Sequence, residues 1–173
     1  VGEAVALLPG VIFSTTSRSQ DAVLVRGFDA RQLPLFIDGI PVSVPYDGYV
    51  DLGRFLTADV GAIQLAKGFS SVAYGPNTLG GALNLVSRRP SAPFEADASV
   101  GLAAGKGRHA WLNAGSDRGS WYFQIGAAYR EAESFRLSSD FVATPYEDGG
   151  ARDNSDSRDT RLSLKVGLTP ASG

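Results

Sequence analysis

The sequence predicts two regions of different fold class: a small α+β domain with a mixed sheet and short helices over residues 1–90, and antiparallel β-strands over residues 91–173. Three observations carry this expectation. Strand-like and helix-like segments are interleaved before Arg88-Arg89-Pro90-Ser91-Ala92-Pro93. Period-2 alternation of apolar and polar residues dominates after it. The segment itself, with two prolines in four residues behind two arginines, has the composition of a linker.

Taken in order, Val1 to Leu8 has the spacing of a short amphipathic helix, stopped by Pro9-Gly10. Ala22-Val23-Leu24-Val25 is a β-rich run closed by Arg26-Gly27-Phe28. Leu33 to Ile37 and Ile40 to Val44 flank Asp38-Gly39, and Asp-Gly between apolar runs is a strong hairpin signal. Asp51 is placed to cap a helix through Leu52, Phe55 and Leu56, ending near Asp59. Ala62 to Ala66 predicts a strand ending at Lys67-Gly68, and Gly80-Gly81 leads into a further strand from Ala82 to Val86.

In the second region, Phe94, Ala96, Ala98, Val100 and Leu102 alternate with Glu95, Asp97 and Ser99. Trp121, Phe123, Ile125, Ala127 and Tyr129 alternate with Tyr122, Gln124, Gly126, Ala128 and Arg130. Leu162, Leu164, Val166 and Leu168 alternate with Arg161, Ser163, Lys165 and Gly167. A weaker strand lies between Arg108 and Ser116. Runs of about 9–11 residues are long enough to cross a membrane as tilted β-strands. Gly105-Lys106-Gly107 and Asp117-Arg118-Gly119 are tight turns, whereas residues 131–159 form a long polar segment with eight acidic and three basic residues. Short turns on one side and long loops on the other are the habit of outer-membrane barrels. Alternation favours the membrane barrel but is also compatible with a soluble β-rich binding module or enzyme domain built as a sandwich, in which the face of Trp121, Phe123 and Ile125 packs against that of Leu162, Leu164 and Val166. About four strands cannot close a barrel, so the membrane reading requires that the chain be a portion of something larger.

Composition excludes much else. Among 173 residues there is no Cys, no Met and a single His, so thiolate chemistry, disulfides and multi-histidine metal sites are out. The missing Met marks the chain as processed or excerpted. Sixteen basic against eighteen acidic residues argue against a nucleic-acid partner. No apolar run approaches a membrane helix. Gly101-Leu102-Ala103-Ala104-Gly105-Lys106-Gly107 falls short of a phosphate loop in its glycine spacing and in the residue after Lys. Ser70 lacks the second Gly of a nucleophile elbow. His109, at a turn, is a surface histidine. No catalytic residue, metal site or cofactor is expected, and the chain is not read as an enzyme.

The order of segments in the first region is more specific. Leu7-Leu8-Pro9-Gly10-Val11, Val25-Arg26-Gly27-Phe28, Phe36-Ile37-Asp38-Gly39-Ile40-Pro41-Val42, Ala62-Ile63-Gln64-Leu65-Ala66-Lys67-Gly68 and Ala73-Tyr74-Gly75-Pro76-Asn77-Thr78-Leu79-Gly80-Gly81-Ala82-Leu83-Asn84-Leu85-Val86-Ser87 occur in sequence. This series resembles the plug domain of TonB-dependent outer-membrane receptors, over about residues 1–90, with the following strands similar to the start of the family's barrel. Gln64 stands where the family usually has Glu, and Ala73 is smaller than the usual residue there. The family's TonB box is not visible before Val1.

The resemblance implies a plug followed by the first strands of a 22-stranded barrel with a plugged lumen, in the bacterial outer membrane. It implies TonB-dependent uptake of a scarce nutrient, a ferric siderophore by default, with cobalamin, haem or an oligosaccharide as alternatives. The implied partners are the TonB energy-transducing complex, the cargo and outer-membrane lipid. By analogy the cargo rests on plug loops, here Ser14 to Asp21 with Arg18 and Gln20, and Val44 to Tyr49 with Tyr46, Asp47 and Tyr49. Arg26 and Lys67, at strand ends, are expected to contact barrel carboxylates. The acidic segment 131–159 is read as a solvated external loop, with closure over cargo or binding of lipopolysaccharide-bridging cations as alternatives.

Overall fold

The computed structural model describes residues 1–16, 20–42, 46, 48–68, 74–75, 77–103 and 106–169. It divides the chain into two compact units, Val1–Arg88 and Arg89–Gly173.

The first unit opens with a short helix, α1 (Gly2–Ala6), which ends at the Pro9-Gly10 breaker. Strands β1 (Val11–Thr15) and β2 (Asp21–Val25) then form an antiparallel pair. A four-stranded mixed sheet follows, built from β3 (Leu35–Ile37), β4 (Ile40–Val42), β5 (Val60–Lys67) and β6 (Gly81–Ser87) in the order β4-β3-β6-β5. The β3–β6 pair is parallel and the other two pairs are antiparallel. The β3–β4 hairpin turns at Asp38 (φ 50) and Gly39 (φ 80), the double positive-φ geometry that Asp-Gly favours. Asp38 also fastens the turn to the sheet, since its carboxylate accepts from the Ser87 N–H (2.8 Å) and hydroxyl (2.5 Å).

The core of this unit gathers Val5, Val23, Val25, Leu33, Leu35, Leu52, Leu83 and Leu85, all nearly or fully buried. Contributions from α1, β2, β3 and β6 explain why the interleaved pattern folds as one α+β unit. One local expectation is corrected. The helix expected over 51–59 is a single 3₁₀ turn, Leu52–Arg54. Asp51 does cap it, accepting from the Gly53 N–H at 3.0 Å, but the same oxygen also accepts from the Asp21 N–H at 2.9 Å. The cap thus serves tertiary structure, and a glycine-containing segment this short does not propagate a helix. β1, which carries no alternation, was not anticipated.

The second unit is one antiparallel sheet in the order β10-β9-β8-β7: β7 (Glu95–Ala103), β8 (Gly107–Asp117), β9 (Trp121–Ala132) and β10 (Ser157–Leu168). Registers align the alternating residues across all four strands. Ala98, Leu112, Ala127 and Leu162 form one row; Ala96, Ala114, Ile125 and Leu164 form another. Ile125 and Leu164 therefore lie side by side on one face, where the sandwich alternative required them to oppose each other. That alternative is not the observed arrangement. The apolar face is the exposed one: Leu162, Leu164, Val166 and Leu168 are all at least 65% accessible. The polar face is the more covered one, with Asn113 and Gln124 almost completely buried. This inverts the burial rule of a water-soluble sheet.

Candidate functional site

Of the loop residues expected to meet cargo, Arg18 and Asp47 lie outside the described residues. Gln20 sits at the neck of the β1–β2 loop: its carbonyl accepts from the Thr16 N–H at 2.9 Å and its N–H donates to Thr16 Oγ1 at 3.3 Å. Tyr46 is 90% exposed, a large amphipathic ring presented to its surroundings. Tyr49 is differently placed. Its hydroxyl donates to Asp29 Oδ2 at 3.2 Å, and the Arg31 guanidinium lies 5.3 Å from its ring centroid.

Asp29 and Arg31 were not singled out by sequence reasoning. The signal was present as an Asx cap: Asp29 accepts from the Arg31 N–H at 3.0 Å and starts the 3₁₀ turn Ala30–Gln32. The Arg31 side chain then doubles back onto the same carboxylate, with Nη2 at 2.8 Å and Nε at 3.2 Å from Oδ2. These Arg31 hydrogen bonds hold the Asp29 carboxyl below the usual carboxylate range; partial burial opposes them and the Tyr49 hydroxyl assists. A carboxylate depressed in the folded state stabilises the fold above its ordinary range, and that contribution is lost as pH falls through the lowered value. The wild-type plug is therefore expected to lose stability between about pH 5 and about pH 3 more steeply than an Asp29→Asn variant. Melting of the full-length receptor at both pH values checks this; equal acid sensitivity contradicts it.

Beside this cluster a cavity of about 510 Å³ opens between Val23, Leu35, Phe36, Val42, Val50 and Tyr74. Phe36 and Tyr74 meet edge-to-face across 5.2 Å. An apolar wall edged by Arg31 is the kind of concavity that accommodates an aromatic or flat ligand group.

The structure brings together the two cations expected at the barrel wall. Arg26 adopts φ +52 and its N–H donates to the Gly10 carbonyl at 3.0 Å. The Lys67 ammonium donates to the neighbouring Pro9 carbonyl. A methyl group built on Gly68 would lie 3.9 Å from Arg26 Nη1, so the guanidinium sits beside the end of β5. Two basic side chains from distant motifs thus share one corner of the first unit.

In the second unit the apolar face ends in a row of charge. Arg108, Glu131 and Arg158 are consecutive cross-strand partners. Arg108 Nε and Arg158 Nη2 both donate to Glu131, each at 2.7 Å, and the Tyr129 hydroxyl does so at 2.7 Å. Toward the opposite end, Trp121 and Phe123 stack with centroids 6.1 Å apart. An apolar band between an aromatic-and-charged edge and a second aromatic edge has the layout of a lipid-facing strand surface. Beyond the charged row, the long connection extends the pairing of β9 and β10: the Leu137 N–H donates to Gly150 and the Arg152 N–H to Phe135. Its carboxylates Glu147, Asp148 and Asp153 come within 4.8 Å of one another on this loop.

Comparison with known proteins fits both units. Residues 1–82 match the family model described as TonB-dependent Receptor Plug Domain. Among solved structures, the FrpB iron transporter from Neisseria meningitidis covers 99% of the chain at 15% identity with a TM-score of 0.78. The ferric yersiniabactin uptake receptor FyuA from Yersinia pestis covers 98% at 17% identity and TM-score 0.72. Pseudomonas aeruginosa FpvA, in complex with an iron-bound heterologous pyoverdine, covers 79% at 23% identity and TM-score 0.67. The chain spans 27%, 26% and 18% of those proteins respectively, and at such identities the likeness is one of fold. Residues 1–82 thus match a TonB-dependent receptor plug domain, and the chain shares its fold with the N-terminal portions of such receptors.

Proposed function

We propose that the protein works by TonB-dependent active transport, carrying a ferric siderophore across the bacterial outer membrane, with its plug inside the barrel lumen. The observation that carries this reading is the pairing of a plug domain with a sheet whose apolar face is exposed and whose polar face is the more covered. Similarity in fold to a ferric yersiniabactin uptake receptor and to FpvA with iron-bound pyoverdine supports the choice of cargo over cobalamin, haem or an oligosaccharide.

On this reading the chain carries out no covalent chemistry. Tyr46 offers its exposed ring for stacking on the cargo, and Arg18, Gln20 and Asp47 offer polar groups around it. Tyr49 contributes through the Asp29–Arg31 cluster, which fixes its ring beside the cavity. Arg26 and Lys67 meet carboxylates of later barrel strands. Outer-membrane lipid surrounds the apolar face of β7–β10. The TonB complex, drawing on the proton gradient, supplies the pull that rearranges the plug.

Uptake of a panel of ferric chelates by cells carrying the full-length receptor tests the proposal. High-affinity uptake of one chelate is expected to vanish when the TonB complex is removed, and unimpaired uptake would favour a passive channel instead. Tyr46→Ala is expected to weaken binding of that chelate about tenfold while leaving the fold intact, because truncating an anchoring aromatic costs more than about 1 kcal/mol. Unchanged affinity removes Tyr46 from the site.

A further inference from the structure

The junction between the units, Arg89 to Glu95, has the composition of a free linker but is bonded along its length to the second unit. Arg89 Nη2 donates to Asp117 Oδ2 (3.3 Å) and to Thr169 Oγ1 (3.2 Å), and its guanidinium lies 4.4 Å from the Tyr122 ring centroid. One side chain therefore touches the ends of β8 and β10 and the start of β9. Pro90 is among the most completely buried side chains described. It fits against Gly115, where an added Cβ would come within 3.0 Å of the Pro90 Cβ and 2.5 Å of Gln124 Oε1. The Ser91 N–H and hydroxyl both bond Glu95 Oε2, at 3.1 and 3.3 Å. The Ala92 carbonyl accepts from the Asp117 N–H at 2.9 Å, and the Pro93 carbonyl accepts from the Ser116 hydroxyl at 2.6 Å. On the other side of the junction, the Arg88 N–H donates to the Asp59 carbonyl at 2.8 Å, inside the first unit. Neither side of the Arg88–Arg89 peptide is left slack.

We infer that residues 89–95 form a fixed strap: when the first unit is pulled, movement stops at Arg89, and the strap bears the load without paying out chain. The inference rests on the transport reading, because it concerns what happens under a pull from the N-terminal side. Its mechanical content can nevertheless be tested without transport. Two prolines stiffen the segment and remove N–H groups that would otherwise need partners. Arg89 supplies charge-assisted bonds, which are the stronger kind. Gly115 is required as the notch that admits Pro90.

Single-molecule force spectroscopy on the full-length receptor in a bilayer, pulled through a handle at position 1, gives the test. Once residues 1–88 are extended, which releases about 300 Å of chain at 3.3–3.6 Å per residue, a discrete force barrier is expected. Arg89→Ala should shorten the dwell at that barrier about tenfold under constant load, as loss of a charged hydrogen bond implies; Arg89→Lys should recover part of it. Gly115→Ala should weaken the same barrier by displacing Pro90, in receptor that still migrates as heat-modifiable barrel. Extension running past residue 89 with no barrier overturns the strap, as does a barrier unchanged by Arg89→Ala. A receptor that shows the barrier but fails TonB-dependent uptake refutes the transport reading and leaves the strap standing.

Discussion

Gly81→Ala is expected to break the plug sheet. Gly81 opens β6 at φ +124, a conformation that residues with a side chain rarely adopt. A Cβ there would lie 1.9 Å from the Ala66 carbonyl oxygen, 2.9 Å from its carbon and 3.2 Å from Lys67 Cα. All three are backbone atoms of β5, so no side-chain rotation relieves the clash. The strands would have to part where Lys67 pairs with Gly81 and Ala66 with Ala82. Backbone strain of about 1–3 kcal/mol adds to lost ladder hydrogen bonds at about 1 kcal/mol each. Displacement of Leu83 and Leu85 from the core follows. The total reaches about 4 kcal/mol or more, the range reserved for severe lesions. Gly39→Ala is the comparison: its φ is also positive, at 80, but nothing lies within 4 Å of the added methyl. Limited proteolysis of the full-length receptor should show the Gly81→Ala plug cut far faster than the Gly39→Ala plug. Equal protection in the two variants would contradict the argument.

The same position shows what the sequence made legible. Gly80-Gly81 before an apolar run announces a strand start, and Asp38-Gly39 announces a hairpin, because these residues act through local backbone geometry. The capping role of Asp51 was legible for the same reason. What it capped was not, since a second claimant on its carboxylate, the Asp21 N–H, lies 30 residues away. β1 escaped because Ile12 and Phe13 are both substantially exposed and leave no alternation to detect. Arg26 and Lys67 were noticed separately at strand ends, but their shared corner depends on β2 and β5 ending at the same place, a tertiary fact. Asp29, Arg31 and Tyr49 form a cluster for the same kind of reason: the Asx cap is local, while the tyrosine arrives from 20 residues on. Residue spacing located the strands of the second unit, yet could not say which face is turned outward. A sandwich and a barrel write the same period-2 pattern with opposite burial.

That sign is open to a direct measurement at Leu164, and the expected effect is large. Leu164 is 73% exposed near the middle of the apolar band, in the row of Ala96, Ala114 and Ile125. On a water-facing surface Leu164→Arg would change stability by no more than about 0.5 kcal/mol, and solubility would improve. On a lipid-facing surface an arginine at the bilayer midplane costs about 2–4 kcal/mol, falling to about 0–1 kcal/mol near the interface. Thr160 provides the second depth on the same face, one row inside the Arg108–Glu131–Arg158 charges. Denaturant titration of the full-length receptor folded into bilayers should therefore rank Leu164→Arg well below Thr160→Arg, with Thr160→Arg close to wild type. The gradient is the diagnostic part. A uniformly small effect at both positions would mean that water covers this face, and the four strands would then need a partner sheet to bury Leu162, Leu164 and Ile125. A steep gradient leaves the exposed leucines with one consistent solvent, the hydrocarbon of the membrane, and explains why a sheet with its apolar side outward is stable at all.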